Sequence, residues 1–407
     1  MTDFEFEWLD GGGITAAGGF KACGLYAGLK RNKKDLALIF SERPGTAAGV
    51  FTTNRVKGAP VLISMPRVRA GRLQALIINS GNANTCNGPG GIEDALEMGR
   101  VTAAALDIPE ETVLVASTGV IGQRLPLGKI TEAVPRAVAL LSTEGGLDAA
   151  EAIMTTDTVP KQAALRFRAE PDGPVVTIGG IAKGSGMIHP NMATMMAFIT
   201  TDAAVEAPLL QEALRHAVDR SFHMISVDGD TSTNDMVVVV ANGWSGARPL
   251  APGSAAYGRF VQALTAVCVR LARAIARDGE GATRLLEVRV KGAPSEEDAR
   301  LAARAVISSS LVKTAVFGND ANWGRIICAA GYSGAVFNPD RFDVYLGDLQ
   351  VAGDGRGLDF DEERASRILA RDPVVVTVDF HDGDGEARAW GCDFSYDYVR
   401  INANYRT

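Results

Sequence analysis

Lys183-Gly184-Ser185-Gly186-Met187-Ile188-His189-Pro190-Asn191-Met192-Ala193-Thr194-Met195-Met196 is a glycine loop carrying a lysine, followed through proline by a small residue, a threonine and an apolar run. The run Met195-Met196-Ala197-Phe198-Ile199 reads as a buried strand, which places Thr194 at its mouth. A hydroxyl held there can attack the carbonyl of Ala193, shift the acyl group from nitrogen to oxygen, and let water release a new amino terminus on Thr194. The chain would then carry its own nucleophile and base, because a free α-amino group titrates near ~7.7–8.0 and can take a proton at neutral pH. As bare residues, Ala-Thr before an apolar strand is an ordinary strand start.

On both sides of this segment, short β-branched runs alternate with amphipathic helices, without low complexity and without a clear repeat. Strands are expected at 37–40, 76–78, 113–116, 175–178, 195–200 and 236–241, most of them ending in loops rich in glycine, asparagine or serine. A helix is expected over 257–277, where Val261, Leu264, Val267, Cys268, Leu271 and Ile275 form one stripe and Asp278-Gly279 ends it. Composition changes near Arg284. There the alternating 286–290 strand is followed by Pro294-Ser295-Glu296-Glu297-Asp298, an N-cap with an acidic first turn. This predicts a larger domain over 1–283 and a smaller α+β domain over 284–407, both built from mixed sheets covered by helices. The polar tail Arg400-Ile401-Asn402-Ala403-Asn404-Tyr405-Arg406-Thr407 reads by composition as disordered.

The composition fits a folded α/β or α+β protein of two or three domains: 407 residues, 46% hydrophobic, 6% aromatic, with 45 glycines. A net charge of -7 argues against nonspecific nucleic-acid binding, and the basic run Lys30-Arg31-Asn32-Lys33-Lys34 reads as a solvated turn. Five scattered cysteines form no CxxC pair and no metal spacing with the four histidines, so they are expected as buried thiols in a reducing compartment. The acidic start is unlike a secretion signal, and no apolar run approaches the length that spans a bilayer. A cytoplasmic protein without a membrane partner is expected.

Several polar segments carry candidate chemistry. The 113–116 strand runs into Ser117-Thr118-Gly119-Val120, where a threonine hydroxyl beside a glycine amide can form a two-donor oxyanion hole; taken alone, it is more simply a serine/threonine turn. Lys183 lies in a glycine loop that lacks the Walker order, so a nucleotide reading is weak and a carboxylate is the better ligand for it. Thr155-Thr156-Asp157-Thr158 reads as a helix end capped by hydroxyls. The segment Val227-Asp228-Gly229-Asp230-Thr231-Ser232-Thr233-Asn234-Asp235 has oxygen ligands suited to a hard cation, but it lacks EF-hand spacing and the terminal glutamate and reads as a turn rather than a metal site. His189 reads as a packing residue.

Taken together, these segments resemble the ornithine acetyltransferase family of arginine biosynthesis, also called glutamate N-acetyltransferase. The resemblance runs through Phe51-Thr52-Thr53-Asn54, Asn79-Ser80-Gly81-Asn82-Ala83-Asn84, Ser117-Thr118-Gly119-Val120-Ile121-Gly122, Thr155-Thr156-Asp157-Thr158, the 183–195 loop, Asp278-Gly279-Glu280-Gly281-Ala282-Thr283 and Asn322-Trp323-Gly324-Arg325, to Asn402 and Thr407. It implies cleavage between Ala193 and Thr194, with Thr194 as nucleophile and Thr118 and Gly119 as oxyanion hole. It further implies substrate contacts from Thr156, Lys183, Thr194, Glu280, Asn402 and Thr407, so that the tail is ordered over the site. The implied fold is an αββα sandwich with a smaller C-terminal α+β domain. The implied reaction moves acetyl from N2-acetyl-L-ornithine to L-glutamate, with no metal and no cofactor, acetyl-CoA being a further donor in some members. The implied assembly is a dimer of αβ pairs. The rival expectation is a self-processing aminopeptidase of related fold that hands the acyl group to water.

Overall fold

The computed structural model describes residues 5–189 and 195–404. Their contacts divide the chain into two compact units: residues 5–184, 195–218 and 231–271 form the first, and residues 185–189, 219–230 and 272–404 the second. Each contains a mixed sheet covered by helices, so the fold is of the mixed α/β kind the sequence predicts.

The sheet of the first unit has nine strands. Eight run in the order Glu7–Trp8, Lys161–Arg168, Val175–Lys183, Met196–Thr201, Met236–Ala241, Leu36–Phe51, Arg72–Asn82 and Val113–Val120, and Phe20–Leu25 also pairs with Leu36–Phe51. Two pairs are parallel, Met236–Ala241 with Met196–Thr201 and Arg72–Asn82 with Val113–Val120; the others are antiparallel. Side chains alternate between two cores, as the two-residue period of a strand requires. Leu36, Leu38, Ala75, Ile77, Val113 and Val115 pack with Ile130, Ala133, Val134 and Ala137 of the Leu127–Ala139 helix. Their sequence neighbours Ala37, Ile39, Leu76, Ile78, Leu114 and Ala116 join Val61, Val68, Ala149 and Ile153 in the other core. Each fully buried valine, leucine or isoleucine contributes roughly 1.5–3 kcal/mol.

The Leu36–Phe51 strand is sixteen residues long and bends where its register slips between Phe40 and Gly45. Its first residue is opposite Asn79 and its last opposite Met236. A straight strand of that length would hold those two partners ~50 Å apart. Yet Asn234, two residues before Met236, donates its amide N–H groups to the carbonyls of Ala83 at 2.6 Å and Ser117 at 2.8 Å. Its Oδ1 accepts from the hydroxyls of Thr85 at 2.6 Å and Thr233 at 2.5 Å. The sheet is therefore curled, and Asn234 staples its ends together.

The second unit holds a seven-stranded sheet in the order Arg356–Gly357, Leu349–Gly353, Asp343–Leu346, Val374–Asp379, Leu285–Ala293, Gly385–Cys392 and Ile225–Ser226. The Glu296–Ser308 helix begins as the sequence predicts, with Ser295 accepting the N–H of Asp298 and three acidic residues in the first turn. Its Ala299, Ala302, Ala303, Val306 and Ile307 are buried, and the helix packs on the two strands at 285–293 and 385–392.

Three expectations need correction. The tail is helical over Tyr396–Ala403, capped by Ser395, where composition alone suggested disorder. Cys86 and Cys328 are exposed, while Cys23, Cys268 and Cys392 are buried. In the basic run Arg31, Asn32 and Lys33 are exposed, as a solvated turn requires, but Lys30 is half-buried: its ammonium donates to the Met154 carbonyl at 2.9 Å, and Asp35 holds its loop by accepting the N–H groups of Ala27, Gly28, Leu29 and Lys30. Among the described residues no helix is long and apolar enough to cross a membrane.

The staple yields a direct test. Asn234→Ala removes four hydrogen bonds from a buried cluster, leaving only the longer contacts of Thr85 with the Ala83 carbonyl and Thr233, and each group left without a partner costs ~1–3 kcal/mol before relaxation. Urea unfolding should show a loss of about 3 kcal/mol or more; a variant within 0.5 kcal/mol of wild type, roughly the range of an ordinary surface change, would mean that the curl does not need this residue.

Candidate active site

Lys183 closes the Val175–Lys183 strand with its side chain almost fully buried. Its ammonium donates to Thr155 Oγ1 at 2.8 Å and to Thr118 Oγ1 at 3.5 Å, and lies 4.0 Å from Asp157 Oδ2. Asp157 is buried as well. Its Oδ1 accepts from the Lys161 ammonium at 2.6 Å and the Gly184 N–H at 2.7 Å, and its Oδ2 from the Thr155 N–H at 2.9 Å. Burial opposes ionisation, but the Lys183 and Lys161 ammoniums and these hydrogen bonds hold the Asp157 carboxyl far below the usual carboxylate range. One carboxylate thus serves two buried cations. Burial likewise pushes the half-buried Lys30 ammonium down to about 8, with Asp35 and Asp157 opposing and Lys33 and Lys183 reinforcing the shift. The region carries an excess of positive charge suited to a carboxylate ligand.

The helix-end reading of 155–158 is corrected by these contacts: the helix stops at Ala152, and the Thr155 hydroxyl faces Lys183. Thr156 sits half-buried between Thr155 and Asp157. Thr118 and Gly119 are strand residues rather than a turn, paired in register with Ser80 and Gly81 of the parallel neighbour. Gly119 has φ of 132°, and a Cβ there would lie 2.4 Å from the Gly81 carbonyl carbon and 2.6 Å from the Asn82 nitrogen. Only glycine fits, and its amide stands beside the buried Thr118 hydroxyl.

Strand register brings further groups to the same place. Lys183 pairs with Met196, and Met196 with Met236, so the end of one strand and the starts of two others form one row. Just before those starts, Met195 donates its N–H to Asp235 Oδ1 at 2.9 Å. Ala193 and Thr194 lie outside the described residues. The structure thus brings together Thr118, Gly119, Thr156, Lys183 and the residue that follows Thr194.

The second unit groups Glu280 and Asn402, whose amide donates to Glu280 Oε2 at 2.8 Å. Glu280 is buried, and its N–H donates to the Ser185 carbonyl at 2.9 Å. A Cβ on Gly186 would come within 2.4 Å of the Glu280 carboxylate, so glycine is required for this approach. Asp228 accepts the N–H groups of Met187 at 2.5 Å and Ile188 at 2.8 Å, which makes it a clamp on that loop, in keeping with the turn reading. His189 contacts Ser226 at 3.3 Å, and burial, with Arg304 nearby, pushes its pKa down. Thr407 lies outside the described residues.

Sequence reasoning placed Asp157, Lys30, Asn234 and Asp235 in a helix cap, a basic turn and an oxygen-rich turn, and gave none of them a part in the site. A carboxylate four residues before Lys161, and one placed against an all-apolar strand, were the available signals. Each is local and common, and only the fold shows which partner it meets.

The sequence profile of the ArgJ family matches residues 21–407. The arginine biosynthesis bifunctional protein ArgJ of Symbiobacterium thermophilum is 60% identical over 404 residues, spanning 98% of this chain and 100% of that protein. Its counterpart in Caldanaerobacter subterraneus is 53% identical over 405 residues, again 98% and 100%. A crystal structure of the Bacillus halodurans protein of the same name aligns with a TM-score of 0.50 and 48% identity, covering 51% of this chain and 98% of the solved one. The aminopeptidase reading is not favoured by this kinship: the chain belongs to the ArgJ family and is an acyltransferase of arginine biosynthesis.

Proposed function

We propose that this enzyme cuts itself between Ala193 and Thr194 and then carries acetyl from N2-acetyl-L-ornithine to L-glutamate as an ester on Thr194. The observation that carries the reading is the placement of Lys183: its ammonium is hydrogen-bonded to Thr118, and its strand pairs with the one that begins just after Thr194. The half-length match to the Bacillus halodurans chain supports cleavage, since a cut after residue 193 of 407 leaves two pieces of nearly equal length.

In the donor half-reaction the free α-amine of Thr194 takes the proton of its own hydroxyl, and the oxygen attacks the acetyl carbonyl. The Thr118 hydroxyl and the Gly119 amide receive the developing oxyanion. The carbon–nitrogen bond breaks, the nitrogen takes the proton, and ornithine leaves. Glutamate then attacks the ester by the reverse sequence, so an amide is exchanged for an amide and no cofactor is consumed. The positive region around Lys183 suits a substrate carboxylate, and Thr156, Lys183, Glu280, Asn402 and Thr407 are the substrate contacts of this reading. Acetyl-CoA serves as an alternative donor to the same threonine. The working form is a dimer of αβ pairs in the cytoplasm.

Intact mass spectrometry tests the reading. Wild type should give two fragments meeting at Ala193/Thr194, and the Thr194 fragment should gain one acetyl group with N-acetylornithine and lose it to glutamate; Thr194→Ala should stay whole and unacetylated. Thr118→Val should lower kcat by ~10²–10³ with a smaller change in KM, as loss of one oxyanion donor does. An unchanged kcat would remove Thr118 from that role.

Asp157 gives a pH prediction. Its folded pKa is depressed, so its contribution to stability is fully present above the unfolded carboxyl value near ~4 and is lost as pH falls below it. Asp157→Asn leaves two buried ammoniums without their carboxylate and should cost ~3–5 kcal/mol at pH 7. Its stability should also fall less steeply than that of wild type between about pH 5 and 3; parallel acid branches in urea titrations would contradict this account.

A further inference from the structure

The ammoniums of Lys30, Lys161 and Lys183 all belong to the first unit, and they are not equivalent. Lys161 is buried and bonded to the Asp157 carboxylate at 2.6 Å. Lys183 is buried too, and is divided among Thr155, Thr118 and Asp157. Lys30 is half-buried, and its ammonium donates to the Met154 carbonyl at 2.9 Å, one residue before Thr155. An ammonium carries three donor hydrogens. Among the described residues that neutral carbonyl is the one acceptor this nitrogen meets. The carboxylate of its own loop is spent on backbone, since Asp35 accepts the N–H groups of residues 27–30.

Those four bonds also fix where Lys30 stands. Its stem lies against Gly81, where a Cβ would come within 3.0 Å of Lys30 Cγ. Gly81 is paired in register with Gly119, and packs on it so closely that a Cβ on Gly119 would meet the Gly81 carbonyl carbon at 2.4 Å. The stem thus rests on the strand next to Thr118 and Gly119, and the ammonium returns to the segment whose Thr155 hydroxyl holds Lys183. A half-buried cation with no anion of its own is unfavourable. Burial accordingly pushes Lys30 down to about 8, with Asp35 and Asp157 opposing and Lys33 and Lys183 reinforcing the shift. An incoming carboxylate would relieve it.

We propose that Lys30 receives the second carboxylate of the acceptor, the one that glutamate has and N-acetylornithine lacks, and so sets the preference for glutamate. The inference rests on the reading of this enzyme as one that passes acetyl to glutamate. With Lys161 committed to Asp157, Lys183 and Lys30 leave two cations for a dicarboxylate, one beside Thr118 and one beyond Gly81. The donor ends in an ammonium instead of a carboxylate. Lys30 holds its proton more loosely than an ordinary lysine and can release it to water when that end of the donor is near.

The test compares acetyl transfer from the acetylated enzyme to glutamate and to glutamine, which has the same length and no side-chain charge. Lys30→Gln keeps an N–H for the Met154 carbonyl and loses the cation. Its kcat/KM for glutamate should fall at least ~10-fold, the low end for a hydrogen bond to a charged group, with a far smaller change for glutamine. Lys30→Arg keeps the charge and should keep the preference. In wild type the preference should decline as pH rises through about 8, where Lys30 loses its proton, and in the Arg variant it should not. A folded Gln variant that still prefers glutamate as wild type does overturns the proposal. So does an equal loss for both acceptors, which marks a merely structural residue. If the Gln variant melts early, the pH profiles decide, and parallel profiles for wild type and the Arg variant overturn it. Wild-type enzyme that passes acetyl to neither amino acid overturns the reading of the reaction itself; active wild type with no Lys30 signature overturns this inference alone.

Discussion

The Asp157 carboxylate lies between the ammoniums of Lys161 and Lys183, three charges in a region from which water is nearly excluded. An isolated buried ion is too costly to keep, so these groups persist only because both carboxylate oxygens are occupied and each cation has further acceptors. The geometry of the site follows from that requirement. The 155–157 turn must present its carboxylate and the Thr155 hydroxyl to the end of the Val175–Lys183 strand, and Lys183 is thereby held against Thr118. Because one negative charge serves two positive ones, the cluster is left electropositive, which explains why a carboxylate-bearing substrate suits it.

The curl of the nine-stranded sheet supplies the rest. Its central strands are apolar on both faces and cannot carry polar chemistry in their interiors. Polar groups are confined to strand ends, and in a flat sheet the ends of Val113–Val120 and the start of Met236–Ala241 would be far apart. The register slip in Leu36–Phe51 bends them together, and Asn234 satisfies the carbonyls that meet there. Thr118 and Asp235 become neighbours of this staple's two anchor points, Ser117 and Asn234 itself. A packing device and a chemical site therefore share one set of residues.

Much of this framework was legible from sequence. Met236–Ala241 is recovered with the same bounds and the long helix over Ala255–Arg277 within two residues, because each has a strong apolar pattern. Phe20–Leu25, Lys161–Arg168 and Gly385–Cys392 went unread: FKACGL, KQAALRFR and GEARAWGC mix small and charged residues, and neighbouring strands rather than propensity make them extended. The site was less legible still. Local chemistry favoured a turn at Thr118 and a helix cap at Thr155, and the resemblance to a family, not spacing, pointed to Thr118, Lys183 and Glu280. The reason is physical: a turn or cap is a contact between near neighbours, whereas Lys183 meets Thr118, Thr155 and Asp157 only after the sheet has formed.

Asp157 and Asp235 show how such a fold differentiates two identical side chains. Both are buried, both accept a backbone N–H near the strand ends, and both feel Lys183. Asp157 has two ammoniums and fills both oxygens, so burial loses to its partners and it stays charged. At Asp235 burial outweighs the Met195 N–H, Lys183 and Ser232, and its carboxyl is pushed well above the usual range. One small region thus pushes the pKa values of two like groups in opposite directions, by supplying cations and donors to one and little but burial to the other.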